Sequence, residues 1–240
     1  MFNRLMKRKK QIIKAVILAS GSGSRINKET PKQFQELSGS PVIIHTLKPF
    51  EENNNIDESI IVTLSNYIDK TWEFVNHYHL TKVKKIIRGG KTRQESSKKG
   101  IDACGDDTKF VLIHDAARPF ITTDLLEKVI KALKKNDAVV PVIPSTDTIV
   151  ETDRKGFISK IPNRSMLWRV QTPQAFKYEL IKEAHRKALE QGVKNSTDDS
   201  SLLLRIGQPV YTIKGNEKNI KITFPDDFKI ADAILKKNKN

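Results

Sequence analysis

The stretch Lys14-Ala-Val-Ile-Leu-Ala-Ser20, continued by Gly21-Ser22-Gly23-Ser24, decides the fold of this chain. Its first part is apolar and contains β-branched residues, as is typical of a strand buried on both faces. The glycines and serines that follow predict an abrupt end of the strand and a flexible loop. Small residues directly after a strand let the backbone approach a bound phosphate, so the loop is a candidate anion site.

Further short apolar runs alternate with segments of helical spacing along the chain. Alternating strands and helices build parallel βαβ units. The sequence therefore predicts the α/β class, as a three-layer sandwich around a mostly parallel sheet. The expected strands are 14–20, 59–64, 84–87, 110–114 and 138–143, and the expected helices are 41–52, 69–79, 92–104 and 122–135.

The alternation breaks after Pro144, where segment 145–162 contains strand-like pieces around a turn at 153–156. We expect this segment to form a protruding β-hairpin arm. Exposed strand edges are commonly covered by a second subunit, so the arm also predicts a homodimer. In this interpretation residues 14–236 form one domain that includes the arm, between a basic tail at 1–13 and a short tail at 237–240.

Ser40 before Pro41 predicts an N-cap and a first-turn proline for the first helix.

Composition excludes several classes of protein. The 240 residues are 38% hydrophobic and 30% charged, and no apolar run is long enough to cross a bilayer. Lys14 interrupts the apolar stretch that follows the basic start, so we expect a tail rather than a secretory signal. Cys104 is the only cysteine, which excludes an internal disulfide and favours the cytoplasm. The net charge of +15 would suit nucleic acid, but scattered lysines more often form solvated faces, and a basic protein also attracts small phosphorylated anions.

The loop after the first strand carries two cations, Arg25 and Lys32. A glycine-rich loop alone is often a plain turn, and Gly21 and Gly23 lack the third glycine of a dinucleotide site and the ending of a Walker loop. Together with two cations the loop suits a triphosphate. Phosphoryl transfer needs mainly positioning and charge stabilisation, which cations and Mg²⁺ supply without a covalent nucleophile.

A second candidate site lies at the end of the apolar run 110–114, which delivers His114, Asp115 and Arg118. Ligands of open α/β sheets collect outside the carboxyl ends of strands. Asp115 is a candidate ligand of Mg²⁺ or of a ribose hydroxyl. The alternative is a carboxylate that caps the following turn and pairs with Arg118. We interpret His114 as a structural hydrogen-bonding residue, because an attacking phosphate oxygen needs no imidazole base.

Several polar phrases elsewhere are ordinary singly but occur in a recognisable order. Over residues 15–233 they resemble the 2-C-methyl-D-erythritol 4-phosphate cytidylyltransferase family, CTP-using enzymes of the non-mevalonate isoprenoid pathway. The phrases are the glycine-rich loop with Arg25, PKQF from Pro31, HTL from His45, GG-x-x-R-x-x-S from Gly89, HDAARP from His114, DT at Asp147, NR at Asn163, QTPQ-x-F from Gln171, TDD from Thr197 and NIKIT from Asn219.

The resemblance implies a Rossmann-like nucleotidyltransferase fold and direct attack of an acceptor phosphate on the α-phosphorus of CTP, with Mg²⁺. Three cations, Arg25, Lys32 and Lys221, would be catalytic, and Asp115 would bind Mg²⁺ or the ribose. The arm would be contributed across a homodimer, with no membrane or nucleic-acid partner. The implied nucleotide-binding residues are Leu18, Ala19, Ser20, Gly21, Gly23, Gly89, Gly90, Ser96 and Asp115, and the implied acceptor-binding residues are Arg118, Thr148, Arg164, Thr172, Thr197 and Lys221.

The sequence departs from the family at Ser20, where Ala or Gly is usual, and at Lys91, where an acidic residue is common. Both positions bear on recognition of the base. Two alternatives stay open: a ribitol-5-phosphate cytidylyltransferase, which shares several phrases, and a non-catalytic nucleotide- or RNA-binding protein. The segments TDDSSLL and NRSMLW favour methylerythritol phosphate as the acceptor over ribitol phosphate.

Overall fold

The computed structural model describes residues 11–21 and 30–237. Within these residues an α/β sandwich surrounds one large sheet. The strands are β1 (Ile12–Ala19), β2 (Glu36–Leu37), β3 (Ser40–Pro41), β4 (Glu58–Thr63), β5 (Val83–Arg88), β6 (Thr108–Asp115), β7 (Ala138–Pro144), β8 (Glu151–Thr152), β9 (Ile158–Lys160), β10 (Trp168–Val170), β11 (Gln174–Lys177) and β12 (Tyr211–Lys214). The helices are α1 (Val42–Glu52), α2 (Ile68–His77), α3 (Arg93–Cys104), α4 (Thr123–Leu133), α5 (Tyr178–Glu190), α6 (Ser200–Arg205) and α7 (Asp226–Lys237).

The main sheet has the order β10-β7-β11-β6-β1-β4-β5, and β12 pairs with β7. Strands β5, β4, β1 and β6 are mutually parallel, whereas β11 runs antiparallel to both β6 and β7. The parallel part puts the carboxyl ends of β1, β4, β5 and β6 at one edge. Both predicted candidate sites follow strands of this part, so the topology brings them to the same edge.

Alternate side chains of β1 enter two separate layers of the core. Ala15 and Ile17 pack with residues of α1, α2 and α4, and Val16 packs with residues of α3, α5 and α6. Successive side chains of a strand point to opposite faces, so a continuously apolar strand needs helices on both sides. This arrangement confirms the predicted three-layer α/β sandwich.

The structure differs slightly from the predicted bounds of the domain and from the predicted start of the first helix. Strand β1 begins at Ile12 and pairs there with Thr108, so the predicted tail at 1–13 extends two residues too far into the sheet. At the other end, α7 continues to Lys237, one residue beyond the predicted end of the domain. Ser40 is not the N-cap of α1, because it lies in β3; Pro41 occupies the N-cap position without a side-chain cap.

The segment after Pro144 leaves the main sheet as predicted. Strands β8 and β9 form a separate antiparallel pair, closed by hydrogen bonds between Asp153 and Phe157 and between Gly156 and Asp153. The predicted hairpin arm is therefore confirmed. No helix in the part of the chain that the structure describes is long and apolar enough to cross a membrane.

Candidate active site

The end of β1 is joined to the turn that carries Lys32 by the side chain of Gln33. This buried amide donates hydrogen bonds to the carbonyl oxygens of Ala19 (2.6 Å) and Gly21 (2.9 Å). Lys32 begins a short 3-10 turn that ends at Phe34. Because the two segments are held together, Lys32 and Gly21 line one pocket of about 540 Å³. Sequence reasoning missed Gln33, although the PKQF phrase contained it.

Two of the predicted residues of this loop, Gly23 and Arg25, lie outside the described residues. The predicted role of Arg25 as a catalytic cation therefore stays a prediction. The described part of the same pocket also includes predicted residues from the end of β1 and from three other segments. These are Leu18, Ser20, Gly90, Ser96, Asp115 and Lys221.

The turn between β5 and α3 lies against the end of β1. The Ser96 hydroxyl oxygen accepts hydrogen bonds from the Ser20 hydroxyl (2.8 Å) and from the Gly90 N–H (3.0 Å), and its own proton goes to the Thr92 carbonyl (2.9 Å). A Cβ atom at Gly89 would lie 2.3 Å from the Ser20 Cβ atom, so only glycine fits there. The predicted nucleotide-binding residues of both segments thus form one wall.

The two departures from the family pattern have different surroundings. The Ser20 hydroxyl is accommodated by its hydrogen bond to Ser96, at the junction of β1 with the β5–α3 turn. Lys91 is exposed, and its backbone N–H donates to a Glu95 carboxylate oxygen at 2.8 Å. Lys91 also lines the pocket that contains Ser20 and Lys32, so its side chain adds positive charge at the edge of the nucleotide wall.

The Asp115 carboxylate lies between two cations at the end of β6. Lys221 Nζ is 2.7 Å from one of its oxygens, and Arg93 Nε is 3.5 Å from the other. Burial would raise the pKa of Asp115, but Arg93 and Lys221 outweigh burial and hold the pKa well below its ordinary value. The carboxylate is therefore charged throughout the neutral range.

The alternative interpretation of Asp115, as a turn residue paired with Arg118, is wrong about the partner. Arg118 Nη1 donates to the Asn219 carbonyl oxygen at 2.8 Å, and Nη2 is directed at the Val170 carbonyl. Arg118 still lines a second pocket of about 410 Å³ beside Asp115. Asp115 pairs instead with Arg93, the arginine of the GG-x-x-R-x-x-S phrase, and the sequence did not indicate this role.

The second pocket contains three of the predicted acceptor-binding residues besides Lys221, namely Arg118, Thr172 and Thr197. His114 lies beneath this pocket, fully buried, with its two ring nitrogens 3.0 Å from the Thr172 hydroxyl and 3.2 Å from the Arg118 carbonyl. Burial lowers the pKa of His114 to about 4, so the imidazole is neutral at neutral pH. This geometry agrees with the structural role predicted for His114.

Thr148 and Arg164 are not brought to either pocket of the same chain. Both are exposed on or beside the arm, and Arg164 makes a long contact, 3.4 Å, with the Thr146 carbonyl. Their predicted roles in acceptor binding therefore stay predictions. That the arm residues are contributed across a dimer is what the family resemblance implies, and it also stays a prediction.

The single carboxylate of Asp115 suits a divalent ion whose other ligands are water and substrate phosphates. Among the described residues there is no group of three or more His, Cys, Asp or Glu side chains that could hold a metal. Mg²⁺ characteristically binds one or two carboxylates and completes its shell with water and substrate phosphates. A single charged carboxylate beside a cationic pocket fits Mg²⁺ in that form and does not fit a dedicated metal cage.

The fold and the site together define a nucleotidyltransferase: glycine-rich backbone and cations line adjoining pockets at the carboxyl edge of a parallel sheet. The family model described as IspD, 2-C-methyl-D-erythritol 4-phosphate cytidylyltransferase, matches residues 13–237. The chain belongs to this family.

Individual relatives agree with the family model over nearly the whole chain. A protein of Clostridium botulinum (strain Okra / Type B1) named 2-C-methyl-D-erythritol 4-phosphate cytidylyltransferase is 40% identical over 222 residues, which are 92% of this chain and 96% of that protein. A protein of the same name from Clostridium novyi (strain NT) is 42% identical, covering 94% of this chain and 97% of the relative. The crystal structure of 4-diphosphocytidyl-2C-methyl-D-erythritol synthase from Anaerococcus prevotii DSM 20548 aligns with a TM-score of 0.83 and 33% identity, over 95% of this chain and all of that one.

Proposed function

We propose that this enzyme transfers the cytidylyl group of CTP to 2-C-methyl-D-erythritol 4-phosphate. The products are 4-diphosphocytidyl-2-C-methyl-D-erythritol, a precursor in isoprenoid biosynthesis, and pyrophosphate. The observation that carries the proposal is that two neighbouring pockets share Arg93, Asp115 and Lys221 as a common wall. One pocket has the glycine-rich wall expected for a nucleotide, and the other has the Arg and Thr side chains expected for a phosphorylated acceptor.

In this proposal an oxygen of the acceptor phosphate attacks the α-phosphorus of CTP in line with the departing pyrophosphate. The new P–O bond forms as the bond from the α-phosphorus to the bridging oxygen breaks, and both electrons of that bond leave with pyrophosphate. The attacking oxygen is already ionised at neutral pH, so no general base is needed. The neutral, buried state of His114 supports this reading.

Stabilisation of the transition state is assigned to fixed cations. Lys221 lies at the wall between the pockets, and Lys32 lies in the nucleotide pocket. Preorganised cations stabilise the charge that develops on the phosphoryl oxygens at little reorganisation cost. Mg²⁺, held by the triphosphate and Asp115, would neutralise phosphate charge when bound.

The acceptor site is proposed to be completed by a second subunit. The arm exposes large apolar side chains, with 69% of Phe157 and 60% each of Ile158 and Ile161 accessible in the single chain. Contiguous exposed apolar surface of this kind marks interaction sites. A homodimer through the arm would cover these side chains and bring Thr148 and Arg164 to the partner's acceptor pocket. We expect the dimer to work in the cytoplasm, without membrane or nucleic-acid partners.

The test is to measure pyrophosphate release by the purified enzyme with each of the four common nucleoside triphosphates and with two acceptors. We expect release only with CTP and faster turnover of 2-C-methyl-D-erythritol 4-phosphate than of ribitol 5-phosphate. Faster turnover of ribitol 5-phosphate would replace the proposed acceptor. Tight RNA binding with steep salt dependence, and no pyrophosphate release, would favour the non-catalytic alternative.

A further inference from the structure

The Arg93 guanidinium joins two carboxylates from distant parts of the chain. Nη1 lies 2.8 Å from an Asp199 oxygen, and Nε lies 3.5 Å from an Asp115 oxygen. Its side chain is only 21% exposed. A planar guanidinium with several fixed donors can serve two carboxylates at once, which the single ammonium group of lysine does less well.

Asp199 is a rigid anchor for this bridge. It is 1% exposed, and one of its oxygens accepts hydrogen bonds from the Ser97 hydroxyl (2.6 Å) and from His185 Nε2 (2.9 Å). Its backbone N–H donates to Gln174 Oε1 at 3.0 Å. Residues of α3, α5 and β11 therefore hold Asp199 in place. Through its ion pair, Asp199 in turn fixes the position of Arg93.

Asp115 shares its charge between Arg93 and Lys221, which lie against different oxygens of its carboxylate. The Lys221 side chain is 40% exposed, whereas the Asp115 side chain is 11% exposed. If Lys221 moved to a substrate phosphate before Mg²⁺ reached Asp115, and Arg93 were absent, Asp115 would keep a nearly buried charge with no ion-pair partner among the described residues. An unpaired buried charge is costly, so Lys221 would be retained by Asp115.

We infer that Arg93 is a positioning residue that holds Asp115 against buried Asp199 and so frees Lys221 to bind the reacting phosphates. This inference rests on the proposed function and deepens it. Arg93 itself lines both pockets, whereas the nucleotide wall is held by the hydrogen bonds of Ser96. Its effect on the reaction passes through Asp115 and Lys221.

The decisive variants are Arg93→Lys and Arg93→Met, with Arg186→Met as the matched control. Arg186 also pairs with two carboxylates, Glu183 and Glu190, but on the exposed surface of α5. We expect both Arg93 variants to lower kcat by about a hundredfold, as displacement of a reacting group by about 1 Å does, while KM for CTP stays near the wild-type value. Arg186→Met should keep the wild-type kcat.

A double variant, Arg93→Met with Asp199→Asn, separates positioning from stability. It removes the orphaned carboxylate, so thermal stability should recover relative to Arg93→Met while kcat stays low. Recovery of kcat together with stability would overturn the inference, as would full kcat in Arg93→Lys. If Arg93→Met does not fold, Arg93→Lys alone decides between these results. Absence of pyrophosphate release in both the wild type and Arg186→Met would instead overturn the proposed function, and with it this inference.

Discussion

At the scale of single residues, the site depends on cations that are placed by neutral hydrogen-bonding groups. Gln33 fixes the turn of Lys32 to the end of β1 through two carbonyl oxygens, and Asn219 accepts a hydrogen bond from Arg118 through its backbone. The sequence identified the cations, because an Arg or Lys beside a glycine-rich loop indicates a phosphate-binding site. It did not identify Gln33, because a buried amide has no signature until its carbonyl partners are known.

We predict that Lys32→Ala and Arg25→Ala each lower kcat by roughly a hundredfold or more, as loss of one preorganised donor to a developing oxyanion does. The measurement is steady-state pyrophosphate release at saturating CTP and acceptor. Lys182→Ala, which removes an exposed cation paired with Asp106 on the surface of α5, is the control and should retain full activity. Near-normal rates in both site variants would refute their assigned roles.

A second prediction at this scale concerns the pH dependence of stability through Asp199. Burial would raise the pKa of Asp199, but Arg93 and the hydrogen bonds from His185 and Ser97 outweigh burial and lower the pKa to about 2. A carboxylate with a depressed pKa stabilises the fold above its unfolded pKa of about 4, and this contribution disappears as the pH falls towards the folded value. The free energy of unfolding should therefore decrease with acidification in this window.

The measurement is urea unfolding of the wild type, Asp199→Asn and Asp124→Asn across that pH window. Asp124 is an exposed carboxylate on α4 that pairs with Lys128, so it is a suitable control. The stability difference between the wild type and Asp199→Asn should shrink as the pH falls. A difference independent of pH would show that the charge of Asp199 is not what stabilises the fold.

At the scale of elements, the hydrophobic pattern predicted the first five strands of the sheet and the four helices between them. Their bounds differ from the structure by at most two residues. Strands β5 and β6 are longer than predicted because their hydrogen bonding continues past the apolar run, whereas α2 and α4 end two residues earlier than predicted. The strands β10, β11 and β12 were not predicted. They are three or four residues long, and such short runs lack a periodicity that separates them from loops.

The first turn of helix α3 connects the stability of this helix to the site. Thr92 is the N-cap of α3, and its backbone carbonyl oxygen accepts the Ser96 hydroxyl proton. The Thr92 side chain accepts a hydrogen bond from Glu95 N–H (3.1 Å), and Thr122 caps α4 in the same way through Leu125 N–H (3.2 Å). We predict that Thr92→Ala and Thr122→Ala each lower the free energy of unfolding by about 1 kcal/mol.

Only Thr92→Ala should also raise KM for CTP, since fraying of the first turn of α3 displaces Ser96 and the Gly89-Gly90 backbone. Chemical unfolding and initial rates at varied CTP test both statements. Equal KM values for CTP in the two variants would show that the first turn of α3 does not affect nucleotide binding.

At the scale of the whole molecule, one chain holds both pockets but leaves the predicted arm residues apart from them. We predict that Phe157→Glu converts a dimer into monomers and abolishes most activity, because a charge replaces an exposed apolar side chain at the turn of the arm. Leu204→Glu is the control, since Leu204 is 62% exposed on α6, away from the arm. Light scattering and pyrophosphate release should change together in Phe157→Glu and remain unchanged in Leu204→Glu. A monomeric variant with full activity would show that the acceptor site is complete in one chain.

The sequence by itself determined the order of the first five strands of the main sheet and of the four helices between them, the position of the glycine-rich loop and the resemblance to one family. These features depend on local periodicity and on short motifs, which can be read without knowing any contact. Only the tertiary structure decided which charges meet. Lys221 and Asp115 are separated by 106 positions in the chain, as are Arg93 and Asp199, and no local pattern specifies such pairs. Asp115 therefore pairs with Arg93 and Lys221 rather than with nearby Arg118, because the carboxyl edge of the sheet places their segments around it.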